Sequence, residues 1–78
     1  MPRGSCHEFV IGRLLIRLST GELAVPGANG WVGTWAIYRL PRVVEEMPLR
    51  YGDTDIVESE DLALGMARQI ARLVAKAL

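Results

Sequence analysis

The chain has 78 residues, enough for one domain, and its nine Lys and Arg side chains balance its nine Asp and Glu side chains. Zero net charge weighs against partners bound mainly by electrostatics, such as bulk nucleic acid or an anionic membrane. Half of the residues are hydrophobic, which is more apolar side chain than a domain of this size easily buries. Self-association is the usual remedy for that excess, so the composition predicts a partner.

The chain carries no clear signal for a membrane or a secreted location. Its single cysteine, Cys6, excludes an intrachain disulfide. The sequence also lacks a run of about 18 apolar residues, which a transmembrane helix would need. A cytoplasmic location is therefore the expectation. Residues 1–6 include a Pro-Arg-Gly-Ser segment that is typical of a protease site left by an expression vector. We expect this end to be flexible or vector-derived, and the whole chain to form a single domain.

The first predicted element is a strand from Phe9 to Leu18. Its even positions, from Val10 onward, carry no charge, whereas its odd positions include Arg13 and Arg17. This alternation is typical of a strand with one face in the core. We expect the even positions to be buried and a turn to follow at residues 19–22.

A loop rich in Pro, Gly and Asn, residues 26–30, precedes the second predicted strand. That strand runs from Trp31 to Leu40 and is rich in aromatic and β-branched residues. Trp31 and Trp35 lie four positions apart, so they share one face of it. Both faces are largely apolar, which is typical of a strand covered on both sides.

The segment from Arg42 to Arg50 is ambiguous. It allows a third strand bent at Pro48, and a proline confines such a strand to the edge of a sheet. A turn at residues 51–55 is expected to separate this segment from the last element.

The last element is a helix over residues 59–78. Ser59 is the expected N-cap, and Glu60 and Lys76 complement the positive and negative ends of the helix. At ~100° per residue the apolar residues fill an arc of roughly 220°, whereas a surface helix needs a stripe of only ~100° or somewhat more. Because one small sheet covers one side of such a helix, we expect the remainder to contact something else, most simply a second copy of the chain.

Together these elements predict an α+β fold. It consists of a small curled antiparallel β-sheet of about three strands, in β-β-β-α order, with one C-terminal amphipathic helix packed on it. No repeat or second domain is visible in the sequence.

No residue pattern predicts a catalytic, cofactor or metal site. Cys6, His7 and Glu8 are potential metal ligands, but no second His or Cys exists to complete a zinc site. Asp53 begins an acidic stretch that lacks the glycine of a calcium-binding loop, because Glu58 stands at that position. An enzyme is therefore the least favoured class of function.

The leading interpretation is a non-enzymatic binding or structural module that homodimerises or docks a protein partner. Its predicted contact residues lie outside a minimal helix-on-sheet core and are Trp31, Trp35, Leu64, Ala71, Ala75 and Leu78. The alternative is a regulatory nucleic-acid-binding domain that presents Arg and Trp side chains on one sheet face. Its predicted contact residues are Arg13, Arg17, Trp35, Arg39, Arg68 and Arg72.

Overall fold

The computed structural model describes residues 4–25, 28–41 and 46–78. Within these residues four strands precede one helix: β1 (Cys6–Ile11), β2 (Leu14–Val25), β3 (Ala28–Arg39), β4 (Arg50–Asp53) and α1 (Glu60–Lys76). Neighbouring strands pair antiparallel in the order β1-β2-β3-β4, and α1 packs on β2 and β3. The predicted α+β fold is confirmed, with four strands in place of about three. None of the described residues belongs to a helix long and apolar enough to cross a membrane.

The strand predicted from Phe9 to Leu18 is a hairpin. Gly12 has a φ of 59°, a left-handed conformation that glycine adopts without steric cost, and the turn that begins there separates β1 from β2. Phe9 pairs with Ile16, so these two residues share the sheet face that α1 covers. The odd positions of β1 therefore face the helix, whereas in β2 the even positions do. Val10, predicted on the core face, is instead 56% exposed.

Strands β2 and β3 form a hairpin that extends beyond both edge strands. β1 pairs with β2 only as far as Ser19, and β4 pairs with β3 only from Thr34 to Ile37. The turn expected at residues 19–22 is therefore wrong, since this segment is paired with β3. Cross-strand hydrogen bonds to β3 override the local turn preference of Ser, Thr and Gly. The loop expected at 26–30 is wrong for residues 28–30, which belong to β3 and pair with β2, and residues 26 and 27 lie outside the described residues.

The edge strand β4 begins where the ambiguous segment ends. Arg50 pairs with Ile37, and the backbone N–H of Leu49 donates to the Ile37 carbonyl at 2.7 Å. Residues 42–45, which the sequence allowed as part of a third strand, lie outside the described residues. The turn expected at residues 51–55 is in part strand, because residues 51–53 belong to β4.

The core lies between α1 and the sheet. It contains Ile16, Leu18, Trp35, Ile37, Ala67, Ala71 and Ala75. The helix approaches β3 closely at Gly33, where a Cβ atom would collide with the Ala63 carbonyl and lie 3.0 Å from the Ala67 Cβ. A glycine in the strand and alanines in the helix therefore set the distance between the two layers.

The N-terminus of α1 is fixed by side-chain hydrogen bonds. As predicted, Ser59 is the N-cap, and its Oγ accepts the backbone N–H of Leu62 at 3.1 Å. The Glu60 carboxylate accepts a hydrogen bond from Thr20 Oγ1 at 2.9 Å, which connects the helix to β2. The backbone N–H of Thr20 donates in turn to the Ser5 carbonyl at 3.0 Å. Ser5 is thus held against the sheet.

Candidate functional site

Helix α1 buries its smallest apolar side chains and exposes larger ones. Four alanines spaced four residues apart face the sheet and are buried: Ala63, Ala67, Ala71 and Ala75. Leu62 and Leu73, by contrast, are 46% and 61% exposed. Complete burial of a leucine contributes about 1.5–3 kcal/mol, so this helix leaves much of its apolar surface unused within one chain.

One side of the helix carries a band of mostly exposed residues, which we call the outer strip. It consists of the exposed residues Leu62, Gly65, Gln69 and Leu73 and the half-buried Met66. These positions recur at intervals of three and four residues, so they lie on one side of the helix. At Gly65 a Cβ atom would meet no described heavy atom within 4 Å. Gly65 lies in a shallow depression of about 450 Å³, which is also lined by Gln69, Leu73 and the cations Arg68, Arg72 and Lys76.

Charged residues beside the outer strip are divided along the helix axis. The N-terminal end carries the exposed acidic residues Glu58 and Asp61, whereas the C-terminal half carries exposed Arg68, Arg72 and Lys76. The guanidinium of Arg72 lies 5.8 Å from the centre of the Phe9 ring. In the described part of the chain, none of these five charged residues forms an ion pair.

Three of the six predicted contact residues belong to the core. Trp35, Ala71 and Ala75 are 8%, 0% and 7% exposed, so a partner cannot reach them in the folded chain. Their position follows from the alanine side of α1 packing directly over β3. Trp31 and Leu64 are partly buried, and Leu64 packs against the core cluster.

Leu78, the remaining predicted contact residue, is 47% exposed but lies apart from the outer strip. It borders a groove at the end of the sheet, together with Ala75. Leu62 and Leu73, which the structure exposes most clearly on α1, were not among the predicted contacts. The width of the apolar arc was the signal for them, but the arc alone does not tell which part the sheet covers.

The residues predicted to contact nucleic acid do not share one face. Trp35 packs beside Gly52, where a Cβ atom would lie 2.9 Å from Trp35 Cζ2, and its burial removes the aromatic surface on which a base would stack. Arg13 and Arg39 meet at the end of the sheet. Arg68 and Arg72 lie on α1, away from them.

Arg17 points to the sheet face that α1 does not cover. Its Nη2 lies 3.0 Å from the Glu8 carboxylate, and its guanidinium lies 6.0 Å from the centre of the Tyr38 ring. The hydrogen bond that Arg17 Nε donates to the Glu8 carboxylate raises the pKa of Arg17 above its usual value. Arg17 therefore already interacts with Glu8 and Tyr38 within the chain. Nucleic-acid binding by the six predicted residues stays a prediction, and the positions of these residues do not favour it.

A chain of hydrogen bonds joins His7 to the start of the helix. His7 Nε2 lies 3.2 Å from Ser5 Oγ, and Ser5 Oγ lies 3.2 Å from Thr20 Oγ1, which donates to Glu60. A contact between a serine hydroxyl and a histidine ring nitrogen is typical of a nucleophile and its base. Such a pair also needs a third group that orients the imidazole. Among the described residues no hydrogen bond reaches the other ring nitrogen of His7. We interpret the chain as a structural link.

The potential metal ligands named above are not gathered into a site. In the parts of the chain that the structure describes, no group of three or more His, Cys, Asp or Glu side chains could hold a metal ion. Asp53 Oδ1 accepts a hydrogen bond from Thr34 Oγ1 at 3.1 Å, and Cys6 is exposed on β1.

Comparisons of the chain with protein-family models, with curated proteins and with solved structures gave no match. The function must therefore be argued from the geometry of the chain itself. The outer strip of α1 is the feature that this geometry leaves without an internal role.

Proposed function

We propose that this protein is a small non-enzymatic binding module that forms a homodimer through the outer strip of α1. The observation that carries the proposal is the exposure of Leu62 and Leu73 on a helix whose fully buried residues are alanines. A second copy of the chain offers an identical apolar strip, and two-fold dimers are the commonest form of self-association.

The spacing along the outer strip suits an antiparallel pair of helices. Gln69 lies midway between Gly65 and Leu73 in the sequence, so a two-fold axis at Gln69 brings Leu73 of one copy opposite Gly65 of its partner. The leucine side chain would fill the depression that the glycine leaves. The same packing occurs twice in the dimer, because a two-fold interface is symmetric.

The division of charge along α1 supports the antiparallel arrangement over the parallel one. An antiparallel pair brings Asp61 near Lys76 of the partner copy, and the acidic end of each helix near the basic end of the other. A parallel pair would place like charges side by side, which costs free energy. Electrostatic complementarity therefore selects a second copy in this orientation.

The size of the strip limits the strength of the dimer. At about 1.5 Å per residue, the 17 residues of α1 extend over ~25 Å, and one pair of helices of that length buries less surface than the ~1,200–2,000 Å² of a standard interface. We expect a dimer that dissociates at micromolar concentrations and that weakens modestly as salt screens the end charges.

Sedimentation velocity over a dilution series, at two salt concentrations, tests the proposal. The unmodified protein should shift from dimer to monomer on dilution, and Leu73→Glu should be a folded monomer throughout, because the partner strip would have to bury its carboxylate. Leu23→Glu is the matched control, since Leu23 is an exposed leucine on β2. A parent protein that stays monomeric at millimolar concentration, or a Leu73→Glu variant that keeps the parent's mass, would contradict the homodimer.

A further inference from the structure

A groove of about 760 Å³ opens at the end of the sheet that is opposite to the β2–β3 connection. It is formed where β1 turns into β2, where β3 ends and where β4 and the last turn of α1 meet them. Its apolar lining includes Leu14, Leu40 and Leu49, and its cations are Arg13, Arg39 and Arg50. A volume of this size is typical of small-molecule sites, which span roughly 300–1,000 Å³.

Strand pairing brings the three arginines together from distant parts of the chain. Arg39 is the pairing partner of Leu14, which follows Arg13 directly, and the backbone N–H of Leu40 donates to the Arg13 carbonyl at 2.8 Å. Arg50 joins them because it pairs with Ile37, two residues before Arg39 on β3. The groove is thus a product of the fold.

The charge of the groove is not neutralised within the described residues. None of the described residues that line it is acidic, and Arg13 and Arg39 form no ion pair with any described side chain. Arg50 Nη1 donates to the Leu49 carbonyl at 2.7 Å, which leaves its remaining N–H groups available. A guanidinium carries five donors and stays charged at physiological pH, so three of them favour a carboxylate or phosphate.

We propose that the groove binds a small amphiphile, an aliphatic chain that carries a carboxylate or phosphate head group. The arginines would bind the anionic head, and the leucines would cover the chain. A fully polar anion would leave the leucines without a partner. A nucleic-acid strand fits less well, because the described residues that line the groove include no aromatic side chain on which a base could stack. The groove lies on a different side of α1 from the outer strip, so this site does not depend on the dimer.

Calorimetric titration with submicellar amphiphiles tests the head group and the chain separately. Decanoate and decyl phosphate should each bind saturably, one per protein chain, and comparison of the two identifies the preferred head. Decanol, which lacks the charge, and acetate, which lacks the chain, should bind at least about tenfold more weakly. Across octanoate, decanoate and dodecanoate, affinity should rise by up to about fourfold per methylene that the groove buries.

Arginine variants locate the binding to the groove. The double variant Arg13→Gln/Arg39→Gln should weaken decanoate binding by about tenfold or more, because it removes two charged hydrogen-bond donors. Arg17→Gln removes a positive charge from the uncovered sheet face and should leave the affinity unchanged. Thermal unfolding of each variant confirms that it is folded.

Four results would overturn the proposal. They are the absence of saturable binding by either anionic amphiphile, equal binding of decanol, an affinity that the double variant leaves unchanged, and displacement of decanoate by a short oligothymidine that binds more tightly. The last result would assign the arginines to nucleic acid.

Discussion

The sheet-facing side of α1 carries alanines, whereas its outer strip carries leucines and a glycine. By hydrophobicity alone the opposite arrangement would be favoured, since a leucine gains more from burial than an alanine does. At Gly33 the helix backbone approaches β3 so closely that the contact leaves room only for small side chains. Leu64, Ile70 and Val74 of α1 pack against the core and are partly buried, whereas Leu62 and Leu73 remain exposed and available for a partner.

The closest contact between the layers gives the largest expected effect. Gly33→Val should lower the free energy of unfolding by about 3 kcal/mol, because the new side chain would push α1 away from β3. Gly21→Val is the matched control, since Gly21 lies in β2 and a Cβ atom there meets no described atom within 4 Å. In urea unfolding, Gly21→Val should be at least as stable as the parent protein. Equal losses of unfolding free energy in both variants would mean that the close contact at Gly33 does not set the distance between α1 and the sheet.

A pair of leucine-to-alanine changes compares the two environments directly. Leu18 is fully buried beneath α1, and Leu18→Ala should cost about 2–5 kcal/mol of stability. Leu73→Ala should cost less than about 0.5 kcal/mol in a dilute, monomeric sample. At high concentration the same Leu73→Ala variant should lose more stability relative to the parent, because dimer formation stabilises the folded state by mass action. Unfolding curves at two protein concentrations separate these effects, and a large loss for Leu73→Ala in the dilute sample would place Leu73 in the monomer core.

The helix could be predicted from the sequence because its signals are local. The N-cap at Ser59 and the apolar periodicity after it both act within one segment. The hairpin at Gly12 could not be predicted in the same way, since the turn interrupts a sequence that alternates smoothly from Phe9 to Leu18. Only the pairing of β1 with β2 reveals which face each residue takes.

The candidate surfaces were partly predictable for a related reason. The width of the apolar arc on α1 indicated a partner, but the covered part of the arc depends on Gly33, a residue of another element. The arginine groove has no sequence signature at all, because Arg13, Arg39 and Arg50 meet only through strand pairing. Contacts of this kind are set by register, which short-range patterns do not encode.

Gly65→Ala should stabilise the monomer and weaken the dimer, so it tests the proposed crossing point of the two helices. Alanine favours a helix over glycine by about 1 kcal/mol, and the Cβ atom would meet no described atom within 4 Å in the single chain, so the monomer should become more stable. The dimer should become weaker, because the same Cβ would occupy the depression that Leu73 of the partner copy is proposed to fill. Urea unfolding of a dilute sample and sedimentation of a concentrated one measure the two effects. If Gly65→Ala strengthens both the fold and the dimer, the helices do not cross at Gly65, and the antiparallel pair about Gln69 is wrong even if the protein dimerises.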